Sequence, residues 1–313
     1  MEEDGEIEFS VRYPFTQTAK RVIQDQNIQL SDRVVELAVG RLKNAVQGKK
    51  PSKSTAIHKS QKIEEIGSYA AARMLTGYMR NNYVTERFAV YESKRARNYL
   101  ESEKQEWVET VANEFGITSK EKESIFEIPL PVYLNYSPRS IEYRLINRKI
   151  DKGFVPVKKE ERRRLIEEAV RKHVLHTPIV KNPTSSIRKA ASILRSSFTK
   201  VTYGKRISLP RENPPCIQKL LESVKKHENL PHSARWFLAV YLINKGMSNE
   251  SLVALFSNFP DYSPKTTKYQ VEHARKRGYT VPSCSTVLTH GLCVSNCNVG
   301  TPSNWGRKRG KKK

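Results

Sequence analysis

The chain has 313 residues, enough for two ordinary domains, and its 56 Lys and Arg against 32 Asp and Glu give a formal net charge of +24. Its mean hydropathy is −0.63, and its longest apolar run, 236–243, has only eight residues. Its first residues are acidic and lack the basic segment followed by an apolar segment that is typical of a signal peptide. We therefore expect an intracellular protein, neither secreted nor inserted in a membrane, that binds a polyanion.

A mainly helical N-terminal domain is predicted for 1–195. Residues 30–46 place apolar side chains on one helical face behind Ser31, a suitable N-cap, and 64–115 continue the helical pattern. Residues 47–60 are polar and are broken by Gly and Pro, which predicts a loop. Three basic side chains of the second helical stretch are best explained as a solvated helix face: Lys94, Arg95 and Arg97.

Within this domain the pattern changes, and we expect a small mixed α/β subdomain at about 120–185. Residues 125–137 are apolar and contain two prolines, which favours edge strands or extended chain over helix. Residues 143–150 have a helical pattern, 153–157 an extended one, and 160–175 a clear amphipathic helical one.

A separate, mostly helical C-terminal domain is expected at 214–305, behind a linker at 196–213 that is rich in Gly and Pro. Residues 205–313 hold 19 Lys and Arg against 6 Asp and Glu, about twice the charge density of the preceding part. The tail at 306–313 carries six of these basic residues and is either a solubilising end or an arm that seeks phosphates. Helices are predicted to begin at four residues: Cys216, His232, Ser248 and Pro264. After Gly278 the chain shows little regular pattern.

All four cysteines lie in the C-terminal third, at Cys216, Cys284, Cys293 and Cys297. Two disulfides are not expected inside a cell, and three cysteines within fourteen residues fit poorly with scattered buried thiols. Four thiolates can hold a structural zinc ion or a [4Fe–4S] cluster. Only the last two cysteines have the close spacing of a zinc knuckle, so the long gaps favour the cluster. Either centre would order the irregular stretch after the last predicted helix.

Acidic residues are too scattered for a polymerase active site. Nucleotidyl transfer uses two metal ions held by clustered carboxylates. The chain has five Asp residues, no two of them closer than seven positions, and it has no Gly-rich phosphate loop of the GxxxxGK[ST] type. We therefore expect a chain that does not itself catalyse nucleotide transfer.

The sequence resembles the large, non-catalytic subunit of archaeal and eukaryotic DNA primase, and its compact length is similar to that of archaeal members. The similarity is strongest in the C-terminal third and covers most of the chain. It lies in PPCI at 214–217, LPHSAR at 230–235, YQVEH at 269–273, PSC at 282–284 and GLC at 291–293, and more weakly in YPF at 13–15 and RFAVYESKRA at 87–96.

This resemblance implies a mainly α fold whose C-terminal domain is organised around a [4Fe–4S] cluster held by all four cysteines. It also implies a separate small catalytic subunit, which we expect to dock on the mixed segment 120–185 or its helical neighbours. The chain would support initiation of the RNA primer and help to define primer length. Its C-terminal domain would contact template DNA, the primer junction and the primer's 5′-triphosphate through four corresponding positions: His232, Arg235, Tyr269 and His273.

The chemistry of these four positions supports nucleic-acid binding only in part. Tyr269 and His273 share a helix face next to the basic residues 275–277, which is typical of stacking on single strands but also of a core tyrosine near a helix end. His232 and Arg235 at a helix start would attract a triphosphate or a structural carboxylate. Two other hypotheses remain open, an iron–sulfur enzyme of nucleic-acid repair or redox chemistry and a zinc-stabilised nucleic-acid-binding protein.

Overall fold

The structure is a computed structural model that contains two compact units, each described by itself below. One unit consists of Met1–Pro138 and Glu142–Val201, and the other of Arg139–Ile141 and Thr202–Lys313. None of the described helices is both long and apolar enough to cross a membrane. The described residues are 3–118, 120–122, 125–202 and 212–306, so 203–211 of the predicted linker and 307–313 of the basic tail lie outside them.

The prediction of a mainly α protein is confirmed, and the N-terminal unit is largely helical. Side chains cap several helices: Ser31 accepts a hydrogen bond from the Val34 amide, and Asn81 from the Val84 amide. The helices are α1 (Glu3–Arg12), α2 (Gln17–Asp25), α3 (Asp32–Val46), α4 (Lys59–Met79), α5 (Asn82–Leu100), α6 (Gln105–Asn113), α7 (Leu130–Tyr136), α8 (Lys159–Leu175) and α9 (Ser185–Thr202).

Three short antiparallel strands, in the order β1-β2-β3, form a small sheet in the described part of this unit: β1 (Lys120–Lys122), β2 (Ile125–Pro129) and β3 (Phe154–Lys158). Residues of β2 and β3 alternate between buried and open positions, as one-sided strands do. Phe126 opposite Val157 and Ile128 opposite Val155 face the protein interior. The sheet thus has one covered face and one open face.

The sheet and the helices of this unit share one hydrophobic core. Leu75 of α4, Phe88 of α5 and Leu165 of α8 are fully buried in the same cluster as Ile128 and Val155 of the sheet. The described residues of the mixed α/β segment therefore pack on the helices and share their core.

Two local predictions in this unit were wrong, and one helix extends further than expected. Residues 130–136 form α7, because Pro131 lies in the first helical turn, where no amide donor is needed. The pattern at 143–150 yields only the single 3₁₀ turns Ile141–Tyr143 and Leu145–Asn147, which bury no residue and so gain no packing. Helix α9 continues to Thr202, seven residues into the predicted linker, because the first Gly comes only at 204.

The expected solvated face of α5 was also wrong at one position. Lys94 is exposed, but Arg95 is buried, donates to the carbonyl oxygen of Val11 at 3.1 Å and pairs with Glu65. Arg97 is half-buried and lies 2.9 Å from the carboxylate of Glu167. Part of the basic charge of this unit is therefore neutralised inside the fold.

The C-terminal unit is also helical, and its described helices begin close to the predicted points. Ser248 caps α12 by accepting a hydrogen bond from the Ser251 amide, and Pro264 occupies the first turn of α13. A second hydrophobic core, with Phe237, Leu238 and Leu252 among its buried members, holds the unit together. The helices are α10 (Pro215–Lys225), α11 (His232–Asn244), α12 (Asn249–Phe256), α13 (Pro264–Lys276) and α14 (Cys284–Thr289).

The stretch after Gly278 has more structure than its composition indicates. It contains α14, whose end is closed by Gly291 with φ +62° while the Leu292 amide donates to the carbonyl oxygen of Val287. A left-handed residue at this position is the usual glycine stop of a helix. The amide of Cys284 also donates to the carbonyl oxygen of Gly300 at 2.9 Å, which joins the two ends of the segment.

Candidate iron–sulfur centre and nucleic-acid interface

The four cysteines come from three parts of the C-terminal unit. Cys216 lies in the first turn of α10, and Cys284 is the first residue of α14. Cys293 follows the Gly291 turn, and it and Cys297 both direct their thiols at the Ser295 carbonyl oxygen, at 3.3 and 3.5 Å. All four cysteines are free thiols.

Electrostatics indicates that these thiols lie near one another. The pKa of the Cys216 thiol is raised to about 11, chiefly by burial and to a smaller extent by the charges of Cys293 and Cys297, while the amides of Ile217 and Cys216 act in the opposite direction. Burial and the same two charges also raise the pKa of Cys284. Four thiolates placed together repel one another, so a cationic centre would be needed to hold them all ionised.

Four thiols are a donor set that a zinc ion or a [4Fe–4S] cluster could use. Within the described residues, no three His, Cys, Asp or Glu side chains come together closely enough to hold one metal ion. Sulfurs around one tetrahedral zinc lie about 3.8 Å apart, whereas a [4Fe–4S] cluster accepts four thiolates around a wider core. Cys216 and Cys293 also pack at the hydrophobic core, which would shield such a centre from water.

At the beginning of α11, His232 and Arg235 differ in their surroundings. His232 is the first helical residue and is exposed, next to amides that have no acceptor within the helix. Arg235 is engaged within the protein: its Nε donates to the Leu230 carbonyl oxygen at 2.8 Å, its Nη2 lies 2.7 Å from a carboxylate oxygen of Asp261, and its guanidinium lies 4.5 Å from the centre of the Phe259 ring. Asp261 is therefore the structural carboxylate that the sequence analysis gave as the alternative to a triphosphate at this position.

Tyr269 and His273 form an exposed pair on α13. Their rings stack with centroids 5.9 Å apart and an angle of 23° between the planes, and Tyr269 is 66% exposed. The half-buried core role considered for Tyr269 is therefore wrong. An open aromatic face of this kind is available to a nucleic-acid base.

The row of rings continues beyond the residues that sequence reasoning selected. His273 lies 6.4 Å from the exposed ring of Tyr279, and Tyr279 meets the half-buried Trp236 edge-on at 5.6 Å. The row runs from α13 across the chain after Gly278 to α11, where Trp236 follows Arg235. No sequence spacing relates Tyr279 to Trp236, and only their shared aromatic character hinted at this contact.

Some basic side chains of this region are held by other protein groups, and others are exposed to solvent. Arg275 is held by the beginning of α12, where its Nε donates to the Asn249 side-chain oxygen at 2.6 Å and its Nη2 to the Met247 carbonyl oxygen. Lys276 and Arg277 at the end of α13 are exposed, as is Lys268 next to Tyr269. The interface combines aromatic faces with exposed cations, which is the composition that single-stranded nucleic acids require.

Comparison with known proteins shows the family of this chain. Residues 208–305 match the family model of the C-terminal domain of the eukaryotic and archaeal DNA primase large subunit. The chain is 33% identical to the DNA primase large subunit PriL of Methanocella arvoryzae over 304 residues, which cover 90% of this chain and 82% of the relative.

Two further relatives extend this similarity across archaea. The DNA primase large subunit PriL of Methanosarcina mazei is 30% identical over 306 residues, with 90% of this chain and 82% of the relative covered. That of Halobacterium salinarum is 25% identical over 316 residues, with 91% and 87% covered. The similarity includes both structural units, and the chain therefore belongs to the family of DNA primase large subunits, proteins of DNA replication.

Proposed function

We propose that this chain is the non-catalytic primase subunit that holds template DNA and the 5′ end of the primer for a separate small catalytic subunit. The observation that carries this proposal is the row of rings from the exposed Tyr269 to the half-buried Trp236, in the same unit as the exposed cations Lys276 and Arg277 and the four cysteines. Such a surface binds bases and phosphates and offers no clustered carboxylates for metal-dependent transfer.

A [4Fe–4S] cluster held by Cys216, Cys284, Cys293 and Cys297 is the proposed cofactor. When bound, it would offset part of the negative charge of the four thiolates and would connect α10, α14 and the loop between Gly291 and Gly300. The protein contributes the hydrophobic core around Cys216 and the turn at Gly291 that brings Cys293 to it.

Anaerobic purification followed by iron, acid-labile sulfide and zinc analysis tests the cofactor. We expect iron and sulfide in equal amounts, and loss of both when any one of the four cysteines is replaced by Ser. Replacement of Ser295 by Ala is the matched control and should leave the iron content unchanged. A colourless protein that contains only zinc would support the zinc-stabilised alternative.

Stacking on the aromatic row is tested with Tyr269→Ala and Tyr269→Phe. Loss of one stacked base costs about 1–3 kcal/mol, so we expect single-stranded template to bind the Ala variant about 5- to 150-fold more weakly. The Phe variant keeps the ring and should bind nearly as well as the wild type. Equal binding by all three proteins would show that Tyr269 does not contact the template.

His232 is proposed to receive the primer's 5′-phosphates together with the amides at the beginning of α11. His232→Ala should weaken binding of a primer with a 5′-triphosphate more than binding of the same primer with a 5′-hydroxyl. Equal losses for the two primers would place His232 elsewhere in the interface.

The open face of the small sheet is the proposed docking surface for the catalytic subunit. Ile125 and Phe154 point outward there, Leu134 of α7 is exposed nearby in sequence, and Ile146 is 89% exposed. Exposed apolar side chains in this number are typical of a protein interface. These residues lie within the predicted segment 120–185.

Charged substitutions test this surface by co-purification with the small subunit. Phe154→Glu and Ile146→Glu should each weaken the complex at least about tenfold, because either change buries a charge in an apolar interface. Ile57→Glu is the matched control for Ile146→Glu, since Ile57 is similarly exposed but lies in the loop before α4. Synthesis or cleavage of nucleic acid by this chain without a partner would contradict the accessory role.

A further inference from the structure

Asn244, the last residue of α11, makes a long-range contact that the proposed function has not used. Its side-chain amide donates one hydrogen bond to the Val240 carbonyl oxygen at 2.8 Å, inside its own helix, and one to the Tyr279 carbonyl oxygen at 2.9 Å. An asparagine amide has two donor hydrogens, so both find an acceptor here. The second bond joins the end of α11 to the chain that follows α13.

The chain around Tyr279 depends on this bond for its position. Among the described residues, the Asn244 amide makes the only hydrogen bond to the main chain of residues 279–281. The neighbouring parts are held separately, because Arg275 of α13 donates to a side-chain oxygen at the beginning of α12 at 2.6 Å and Val281 packs against the hydrophobic core. Loss of the Asn244 amide would therefore loosen Tyr279 and leave α13 in place.

The Tyr279 ring is the middle of the aromatic row. Its centroid lies 6.4 Å from that of His273 on α13 and 5.6 Å from that of Trp236 on α11, with angles of 56° and 70° between the planes. Tyr279 is 38% exposed, so part of its surface is open to a ligand. Without Tyr279 the row would split into the pair of Tyr269 and His273 and an isolated Trp236.

We infer that Tyr279 is a further residue on which a base of single-stranded template stacks, and that Asn244 is the positioning residue that holds it in the row. The inference rests on the proposed function, since it assigns roles within the same nucleic-acid interface. A ring that is already held does not have to be ordered when the template binds, so more of its stacking free energy contributes to affinity. Asn244 acts through Tyr279 and needs no contact of its own with the template.

Substitutions of Tyr279 in the full-length chain test the stacking role. Tyr279→Leu keeps an apolar contact with Trp236 but removes the aromatic face, and we expect it to bind single-stranded template at least about fivefold more weakly. Tyr279→Phe keeps the ring and should bind nearly as well as the wild type. Equal binding by Tyr279→Leu and the wild type would overturn the inference.

Asn244→Ala tests the positioning role, with Asn258→Ala as the matched control. Asn258 follows α12 in the same unit, and its side-chain amide donates to the nearby carbonyl oxygen of Leu255 at 2.9 Å. We expect Asn244→Ala to bind single-stranded template about 3- to 10-fold more weakly, the scale of one lost hydrogen bond, and Asn258→Ala to bind like the wild type. Unchanged template affinity in Asn244→Ala would contradict the positioning role.

The double variant separates a positioning role from a general loss of structure. In the Tyr279→Leu background, Asn244→Ala should change template affinity by less than about twofold, because the ring that Asn244 holds has already been removed. Effects of the two substitutions that multiply would show that Asn244 does not act through Tyr279, and the inference would fail. Helix content from circular dichroism should match the wild type in every variant, and a loss of helix in Asn244→Ala would make Asn244 a structural residue instead.

The Tyr269→Ala experiment distinguishes a failure of this inference from a failure of the proposed function. Weaker template binding by Tyr269→Ala, together with wild-type binding by Tyr279→Leu and Asn244→Ala, would confine the interface to α13 and overturn the inference alone. Wild-type binding by all three variants would refute the aromatic row as the interface, and with it the proposed function.

Discussion

The guanidinium of Arg235 pairs with the carboxylate of Asp261 at 2.7 Å while it lies over the ring of Phe259. This contact ties the beginning of α11 to the segment between α12 and α13. The pair is only partly buried, so the same arginine remains able to reach an anion in solvent. Arg235 thus has a structural contact whether or not it also binds phosphate.

Replacement of Asp261 by Asn separates these two roles. We expect a loss of about 1 kcal/mol in the free energy of unfolding, the usual scale for a partly exposed ion pair, measured by denaturation with tryptophan fluorescence. Because Arg235 loses its counter-charge, the preference for a 5′-triphosphate over a 5′-hydroxyl primer should rise. An unchanged preference would make Arg235 a purely structural residue.

Breaking the buried ion pair of Arg41 and Glu92 should strongly lower the free energy of unfolding of the N-terminal unit. Arg41 Nε lies 2.7 Å from Glu92, and its Nη1 donates to the Ser68 hydroxyl at 3.0 Å. Glu92→Gln leaves a buried arginine without its counter-charge and should cost about 3 kcal/mol. Glu36→Gln breaks the exposed pair with Arg33 and should cost less than about 0.5 kcal/mol. Similar losses for both variants in urea denaturation would contradict this prediction.

Two helical glycines should respond oppositely to replacement by Ala. A Cβ at Gly77 would lie 2.1 Å from the carbonyl oxygen of Pro178, whereas one at Gly40 would meet nothing within 4 Å. Gly77→Ala must displace backbone and should lower the free energy of unfolding by about 2 kcal/mol or more. Gly40→Ala should raise it by about 0.5–1 kcal/mol, because Ala favours the helix. Thermal unfolding of the two variants is the measurement, and equal shifts would refute the close approach at Gly77.

His173 should make the N-terminal unit sensitive to acid. Burial between Phe15 and Phe115, helped by the positive charges of Arg73, Lys20 and His176, lowers the pKa of His173 to about 4. His173 takes up a proton near pH 6.5 in the unfolded chain but only near pH 4 in the folded chain. The neutral His173 therefore contributes its full stabilisation of the folded state above pH 6.5, and this contribution is lost as the pH falls toward 4.

The size of this effect is tested with His173→Phe. One pKa unit corresponds to about 1.4 kcal/mol, and solvent around the partly exposed ring reduces the total, so we expect about 1–2 kcal/mol between pH 6.5 and 4. The variant should lose that much less stability than the wild type over this range in urea titrations. At pH 8 the stabilities of the two proteins differ only through packing, and this difference is the reference. Parallel curves of unfolding free energy against pH for the two proteins would refute the prediction.

Helix boundaries were predicted well where the signals are local. Ser31, Ser248 and Pro264 mark helix starts, and Gly278, which has a positive φ, follows the end of α13. A cap or a left-handed glycine acts on amides within the same turn, so neighbouring residues contain the necessary information. The short helix α14 was missed because its six residues bury only one side chain and show no period.

The sequence by itself determined the family, the set of four cysteines, the uneven distribution of basic charge and the helical character of both units. These properties depend on residue identity and on spacing along the chain. Tertiary structure decided which of these residues are engaged within the protein. It buried Arg95 against Glu65, paired Arg235 with Asp261 and joined Tyr279 to Trp236. Burial and the choice of a partner depend on residues far away along the chain, and no local pattern encodes them.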